Sequence, residues 1–500
     1  MNRCASGMKY TGEPDGSFPL TPALSPRERE SAGTDAVVLE HADSKAVMGM
    51  STSLGWRTSR GIEVSKIWRA LLPLPWGEGR GEGEGRKVFS TVCQRQLAPA
   101  LISLIVLLAF LAETARASEP LAIRGELIHT MSGEPLRDGV VLVKDGKIQS
   151  IGKAATTKIP DNYRVLSAKV VTPGLIDAHT VVGLSGVLNQ PHDQEQVEKS
   201  TPMQPELRAV DAFNPQDPLV DWVRSFGVTT MHTGHGPGAL ISGQTMIVKT
   251  FPRSLDKALI KPDAMFAATL GPSGLKDKAP GTMSKAVAML RAELLKAMDY
   301  TKKRAKTDKD KAGSRDLHLE ALARALDGSQ PLLITAHRHQ DILAVLRVAA
   351  EFKLRIILDG CADAPLVLDE IKRSGFPVIL HPTMARASGE AENLSMTTAA
   401  KLKEAGIPFA LQSGFESYVP KTRVVLFEAA LAAANGLSVR DALASVTIDA
   451  AKLLGIAERV GSIEAGKDAD LALYDGDPFE YTTHCIGTVV SGELASSESR

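Results

Sequence analysis

The rhythm of apolar and polar positions changes twice along residues 119–494. Residues 119–172 carry short apolar runs. Val140-Val141-Leu142-Val143 and Lys147-Ile148-Gln149-Ser150-Ile151 flank Asp145-Gly146, the dipeptide best suited to a two-residue hairpin because both positions adopt positive φ. A further strand at 165–171 runs into Pro173-Gly174. Residues 173–455 then alternate two periods. Near-continuous apolar runs at 227–231, 265–270, 332–335, 355–358, 377–380 and 408–411 read as strands, and helical patterns at 284–304, 341–352, 364–372, 397–404 and 424–434 lie between them. Gly436 fits a helix C-terminus, and Ser438 with Asp441 an acidic capping box for the next helix. Strands without alternation, separated by helices, predict a parallel sheet buried on both faces. Over this length a (β/α)8 TIM-like barrel is favoured over a doubly wound sheet. Residues 456–494 return to strand character, with Asp470-Leu471-Ala472-Leu473-Tyr474 alternating and Ile486-Gly487-Thr488-Val489-Val490 following. The simplest arrangement packs this tail with residues 119–172 as one small composite β-sandwich built from both ends.

The stretch ahead of these elements is of another kind. Residues 97–112 are apolar, Lys87 and Arg95 precede them, and Ala115-Arg116-Ala117 follows as a small-residue cleavage signal. Residues 88–117 therefore read as a secretory signal peptide, with a retained anchor as the alternative; the apolar core is short for a span of about 20 residues. Residues 1–87 are rich in Pro, Gly and charge, without apolar period. They read either as sequence upstream of the true start or as a disordered extension. Cleavage predicts a periplasmic or extracellular protein with no stable membrane span.

Composition narrows the partners. Of 500 residues, 44% are hydrophobic and 23% charged, enough for a large core. Lys plus Arg equals Asp plus Glu at 58 each, so there is no electrostatic case for nucleic acid or an anionic membrane. A small-molecule substrate or ligand is expected, and a homo-oligomer stays open. Cys4, Cys93, Cys361 and Cys485 fit neither a zinc ribbon nor a disulfide framework. The charged run 302–311 reads as a solvated helix end. Gly234–Gly243 lacks a following Gly-Lys-Ser/Thr and reads as a flexible mouth loop rather than a phosphate cradle.

Three blocks carry a resemblance. Val170-Val171-Thr172-Pro173-Gly174-Leu175-Ile176-Asp177-Ala178-His179 resembles the first-strand signature of the amidohydrolase superfamily. Gly227-Val228-Thr229-Thr230-Met231 resembles its second-strand motif. Thr447–Gly455 followed by Gly461-Ser462-Ile463-Glu464-Ala465-Gly466-Lys467-Asp468-Ala469-Asp470-Leu471 resembles its C-terminal block, nearest the imidazolonepropionase-like branch. The resemblance implies a (β/α)8 barrel with a β-sandwich from both chain ends. It also implies hydrolysis of a non-peptide C–N bond in a small cyclic or linear amide by metal-activated water. The metal would be one divalent ion such as Zn²⁺, held by His-x-His on the first strand, one His on each of two later strands and an Asp on the last.

Position by position, the ligands thin out. His179 matches the first His, but Val181 stands at the second. Thr335 and Asp359 occupy the two later His positions, and Gly414 the Asp position. His179 and Asp359 are left as the candidate metal ligands, and no catalytic residue is assigned. Other histidines sit at predicted strand ends: His232, His235, His337, His339 and His381. They are candidates for a relocated metal site or for a metal-free pocket. Asp363, Glu416, Tyr418, Lys421 and Arg423 follow strands too, with surface placement as the default. Two functions stay open: a hydrolase, or a secreted non-catalytic relative that binds a ligand or acts as a scaffold.

Overall fold

The hairpin signal is realised at the start of the fold. The computed structural model describes residues 119–187, 190–275, 280–306, 313–414 and 424–499. In it, β1 (Leu121–Ile128), β2 (Leu136–Lys144), β3 (Lys147–Lys153) and β4 (Arg164–Pro173) come first. Asp145 and Gly146 sit at φ 51° and 76°, and β2 pairs antiparallel with β3 across that turn. The readings of 1–87 and 88–117, Cys4 and Cys93, and Glu416, Tyr418, Lys421 and Arg423 lie outside the described residues. So does 307–311; residues 302–306 are the largely exposed end of the helix Met283–Lys306.

The barrel strands follow: β5 (Leu175–Thr180), β6 (Val228–Gly234), β7 (Ile241–Lys249), short β8 (Leu259–Lys261), β9 (Phe266–Thr269), β10 (Leu332–Ala336), β11 (Ile356–Gly360), β12 (Val378–Leu380) and β13 (Phe409–Leu411). Three more close the chain: β14 (Leu471–Tyr474), β15 (Cys485–Val490) and β16 (Glu493–Ser496). One seven-stranded sheet runs β16-β15-β14-β4-β1-β2-β3, so strands from early and late sequence share one layer. Leu121, Ile123, Val141, Val171, Leu471 and Val489 form its own apolar cluster.

The other sheet runs β13-β12-β11-β10-β9-β7-β6-β5. It closes on itself where Thr180 bridges Gly414 in parallel and the Gly414 amide donates to the His179 carbonyl at 3.1 Å. This is a TIM-like barrel with one departure from the parallel pattern: β7 pairs antiparallel with both β6 and β9. Part of the expected mouth loop is therefore strand, because β7 already begins at Ile241. The polar opening Ser242-Gly243-Gln244-Thr245 hid a strand whose apolar part is Met246-Ile247-Val248. Gly243 is needed there: a Cβ would stand 2.3 Å from the His235 ring.

Two-residue alternation sorts the barrel strands into layers. Ile176, Ala178, Ile247, Leu333, Ile357, Ile379 and Ala410 pack together, with Ala450, Ala451 and Leu454 from the helix Ile448–Leu454 against them. Their strand neighbours Leu332, Ile334, Leu358, Val378, Leu380 and Leu411 belong to the cluster packed on the surrounding helices. The helix Leu317–Leu326, capped by Asp316, had no counterpart in the sequence reading.

Candidate site at the barrel mouth

The layer above the barrel's apolar floor carries the chemistry. Two residues beyond Leu333, Ile357, Ile379 and Ala410 come Thr335, Asp359, His381 and Gln412, which alternation returns to the same face. His179 reaches this layer from β5, where the β5–β6 register slips between Asp177 and Thr180.

Asp359 is the hub. His179 Nδ1 stands 3.1 Å from its Oδ1. Gln412 Nε2 donates to the same oxygen at 2.8 Å, and Thr335 Oγ1 donates to Oδ2 at 2.6 Å. All four side chains are buried. Burial works against a charged His179, but the adjoining Asp359 carboxylate outweighs it and raises the ring above its ordinary pKa. Burial likewise opposes the Asp359 charge, yet His179 and the two neutral donors hold it below the usual carboxylate range. Asp359 therefore stays a carboxylate, and the His179 imidazole beside it is a stronger base than a free one. Beneath it, Asp177 accepts from the Ser413 amide at 3.0 Å and the His179 amide at 3.4 Å. Burial pushes Asp177 up to about 6.

The opposite edge of the His179 ring is open. Its Nε2 is buried without a partner among the described residues, and the ring lines a cavity of about 460 Å³ shared with Thr335, His337, Asp359, His381 and Gln412. His381 Nδ1 lies 3.2 Å from the Pro382 carbonyl, which can only accept. Nδ1 therefore carries the hydrogen, and Nε2, also unpartnered, presents a lone pair. Burial lowers His381 to about 4, so its ring is neutral. His337 Nδ1 is likewise unpartnered, and its ring lies so close to Gly360 that a Cβ there would stand 2.7 Å from it.

The sequence candidates thus divide. His179, Asp359, His337 and His381 come together. His232 does not line this cavity: its Nδ1 is 2.7 Å from the Ala178 carbonyl and its Nε2 2.6 Å from Thr245 Oγ1. With both nitrogens engaged and burial lowering it to about 3, it is a neutral strut between strands. His235 is buried against Gly243, and burial lowers it to about 4. His339 pairs with Asp363 at 3.1 Å with its side chain 51% exposed. Sequence reasoning missed Gln412 and took Thr335 only as a lost ligand. The available signal was their place, the first or last polar position of an apolar strand.

The amidohydrolase family model matches residues 377–495. The chain is 26% identical over 411 residues to the amidohydrolase tasK of Hapsidospora irregularis, spanning 72% of this chain and 41% of that protein. It is 24% identical over 393 residues to an imidazolonepropionase of Fusobacterium nucleatum subsp. nucleatum, spanning 70% of this chain and 88% of the other. A crystal structure of an amidohydrolase from Thermotoga maritima MSB8 superposes with a TM-score of 0.72 at 26% identity, covering 76% of this chain and all of that one. Together these matches support the amidohydrolase superfamily for this chain, with imidazolonepropionases among the proteins it is similar to.

Members of this superfamily typically depend on a metal, so the donor set must be tested against one. It does not fit. Val181 is a fully buried apolar side chain. Thr335 and Gln412 direct hydrogens at the oxygens of Asp359 that a cation would need. Gly414 has φ 67°, and a Cβ on it would stand 2.3 Å from Pro382 Cγ, so no carboxylate fits there without rearrangement. Among the described residues, no group of three or more His, Cys, Asp or Glu side chains is arranged to hold a metal ion. His179 and Asp359, singled out from sequence as ligands, are engaged with each other instead. Cys361 and Cys485 are both buried and free.

Proposed function

We propose that this amidohydrolase-superfamily chain takes a small cyclic or linear amide into the barrel-mouth cavity and hydrolyses its non-peptide C–N bond there. In the same reading, the seven-stranded sheet is the family's composite β-sandwich, and the protein works in the periplasm or outside the cell. One observation carries the catalytic part. His179 is 3% exposed, its Nε2 has no partner among the described residues, and its ring lines a cavity of about 460 Å³. A buried polar atom without a partner costs about 1–3 kcal/mol, so this nitrogen is placed for something that enters the cavity. A cavity of this size falls within the range of small-molecule sites, about 300–1,000 Å³. The test is a panel of cyclic and linear amides incubated with the purified chain, with carboxylate and amine products followed by mass spectrometry. Turnover of at least one amide, lost in His179→Ala, is expected.

A second reading has its own support. Val181, Thr335 and Gly414 each remove a ligating side chain, which favours a binding protein that keeps the cavity without turnover. Saturable calorimetric binding of an amide that is never cleaved would replace the hydrolase reading with this one.

A further inference from the structure

We infer that the His179–Asp359 pair stands in place of the metal ion in this barrel, so that water attack on the bound amide is assisted by an imidazole and needs no metal. This rests on the hydrolase reading. The argument begins with Asp359. Its two carboxylate oxygens receive three hydrogen bonds, from His179 Nδ1 at 3.1 Å, Gln412 Nε2 at 2.8 Å and Thr335 Oγ1 at 2.6 Å. Oδ1 already accepts two of these hydrogen bonds, so a cation on it would have to displace a donor. The His179 ring is thereby held with Nδ1 on the carboxylate and Nε2 without a partner among the described residues, the orientation in which a carboxylate fixes the tautomer of a general-base histidine. Steric facts remove the alternative. Gly414 lies in the left-handed region at φ 67° with Pro382 Cγ 2.3 Å from the site of a Cβ.

The step balances without a further reactant. A water in the cavity adds through oxygen to the amide carbon while His179 Nε2 takes one of its protons. The carbonyl π pair moves onto the carbonyl oxygen. On collapse that pair re-forms C=O, the C–N bond breaks, and the departing nitrogen takes the proton back from His179 Nε2. A carboxylic acid and an amine result, and His179 returns to its starting form. Asp359 stays a carboxylate throughout and acts as a positioning residue. His381 Nε2, a lone pair in the same cavity, accepts an N–H or O–H of the bound molecule.

The test uses the full chain after dialysis against a chelator. Metal content by mass spectrometry should stay below about a tenth of an equivalent after exposure to Zn²⁺, because sites of this kind bind tightly when they exist. Turnover of the amide found in the panel should change less than about twofold on chelation or on Zn²⁺ addition. His179→Ala should fall by about 10²–10⁴-fold, the range for a lost acid–base group, with partial recovery in added imidazole. Asp359→Asn should lower kcat with KM within about twofold, the signature of an interaction realised mainly in the transition state. Turnover abolished by chelation and restored by Zn²⁺ would overturn the metal-free inference and leave the hydrolase reading standing. If no amide is cleaved, the hydrolase reading fails instead. The pairing is then read from ¹⁵N-histidine spectra of the wild-type chain. A hydrogen-bonded Nδ1–H that disappears in Asp359→Asn and survives excess Zn²⁺ supports the pair in place of a metal. Stoichiometric Zn²⁺ uptake with loss of that signal overturns it.

Discussion

Gly414→Asp restores the residue type that the family resemblance implies at the last strand, and the structure predicts that the fold rejects it. A non-glycine residue at φ 67° costs about 1 kcal/mol, Asp being among the types that tolerate the left-handed region best. A Cβ would stand 2.3 Å from Pro382 Cγ, where carbon atoms normally sit about 3.5–4.0 Å apart. The loop must therefore move by more than an ångström, and overpacking of this sort costs about 1–3 kcal/mol. The new carboxylate would also enter a buried layer already holding Asp177 and Asp359, and an unsatisfied buried polar group adds about 1–3 kcal/mol. The sum is about 3–7 kcal/mol of destabilisation. Gly414→Ala carries the first two costs without the third, so it should lose about 2–4 kcal/mol. Urea unfolding followed by far-UV circular dichroism measures both variants against the wild type. If Gly414→Asp unfolds within about 1 kcal/mol of wild type, the loop yields more easily than these distances imply. If it also takes up stoichiometric Zn²⁺, the account of why this barrel lacks its ligand set is wrong.

Three further outcomes are expected. Thr335→Val keeps the shape but removes the hydroxyl 2.6 Å from Asp359 Oδ2; a hydrogen bond to a charged group is worth about 1.5–3 kcal/mol, Thr335→Ser should recover most of it, and a loss below about 0.5 kcal/mol in urea titration would show that Asp359 does not rely on that donor. Lys249 is buried on β7 between Asp468 at 2.9 Å and Asp470 at 3.0 Å, and Lys249→Met leaves Asp470 buried without its cation, for which about 3–5 kcal/mol is expected; near-wild-type unfolding would contradict it. His235 is lowered to about 4 by burial, so between pH 6.5 and 5 the unfolded chain gains a proton there that the folded chain does not. Stability then falls with pH by about 1.4 kcal/mol per unit from this ring. His235→Asn should lose about 2 kcal/mol less than wild type between pH 6.5 and 5, and equal losses would mean that the ring is protonated in the fold.

The elements were legible where burial on both faces makes long apolar runs. Leu332-Leu333-Ile334, Ile356-Ile357-Leu358 and Val378-Ile379-Leu380 announce themselves because each strand serves the barrel interior and the helices at once. β7 was hidden for the opposite reason. Gly243 is required by the His235 ring, and Gln244 and Thr245 bond to neighbouring chain rather than pack as hydrophobes. A strand whose first half makes hydrogen bonds and accommodates a ring has the composition of a loop. The site was legible in its residue types but not in its pairings. Nothing in a linear pattern tells that His232 is used up between Ala178 and Thr245 while His179, five residues from the Pro-Gly turn, keeps a free nitrogen. That difference comes from the register slip at the end of β5, a three-dimensional property of two strands.

The pattern of replacement also bears on whether this site is a relic. A barrel that had only lost its ligands would leave Asp359, 3% exposed, as a buried carboxylate without partners, at a cost of several kcal/mol. It would be expected to drift to an apolar residue, since nothing in the strand needs a charge there. What stands around it instead is a matched set. Thr335 and Gln412 come from strands on either side of β11, at the positions that alternation brings to its level, and both donate to Asp359. His179 comes from the far side of the closed sheet and turns its Nδ1 to the same group. Each substitution is confined to one inward layer, so the helices, the strand order and the apolar floor are untouched by it. Three donors converging on one carboxylate, with the second ring nitrogen of His179 left facing a cavity, is the arrangement expected of a rebuilt site rather than an eroded one.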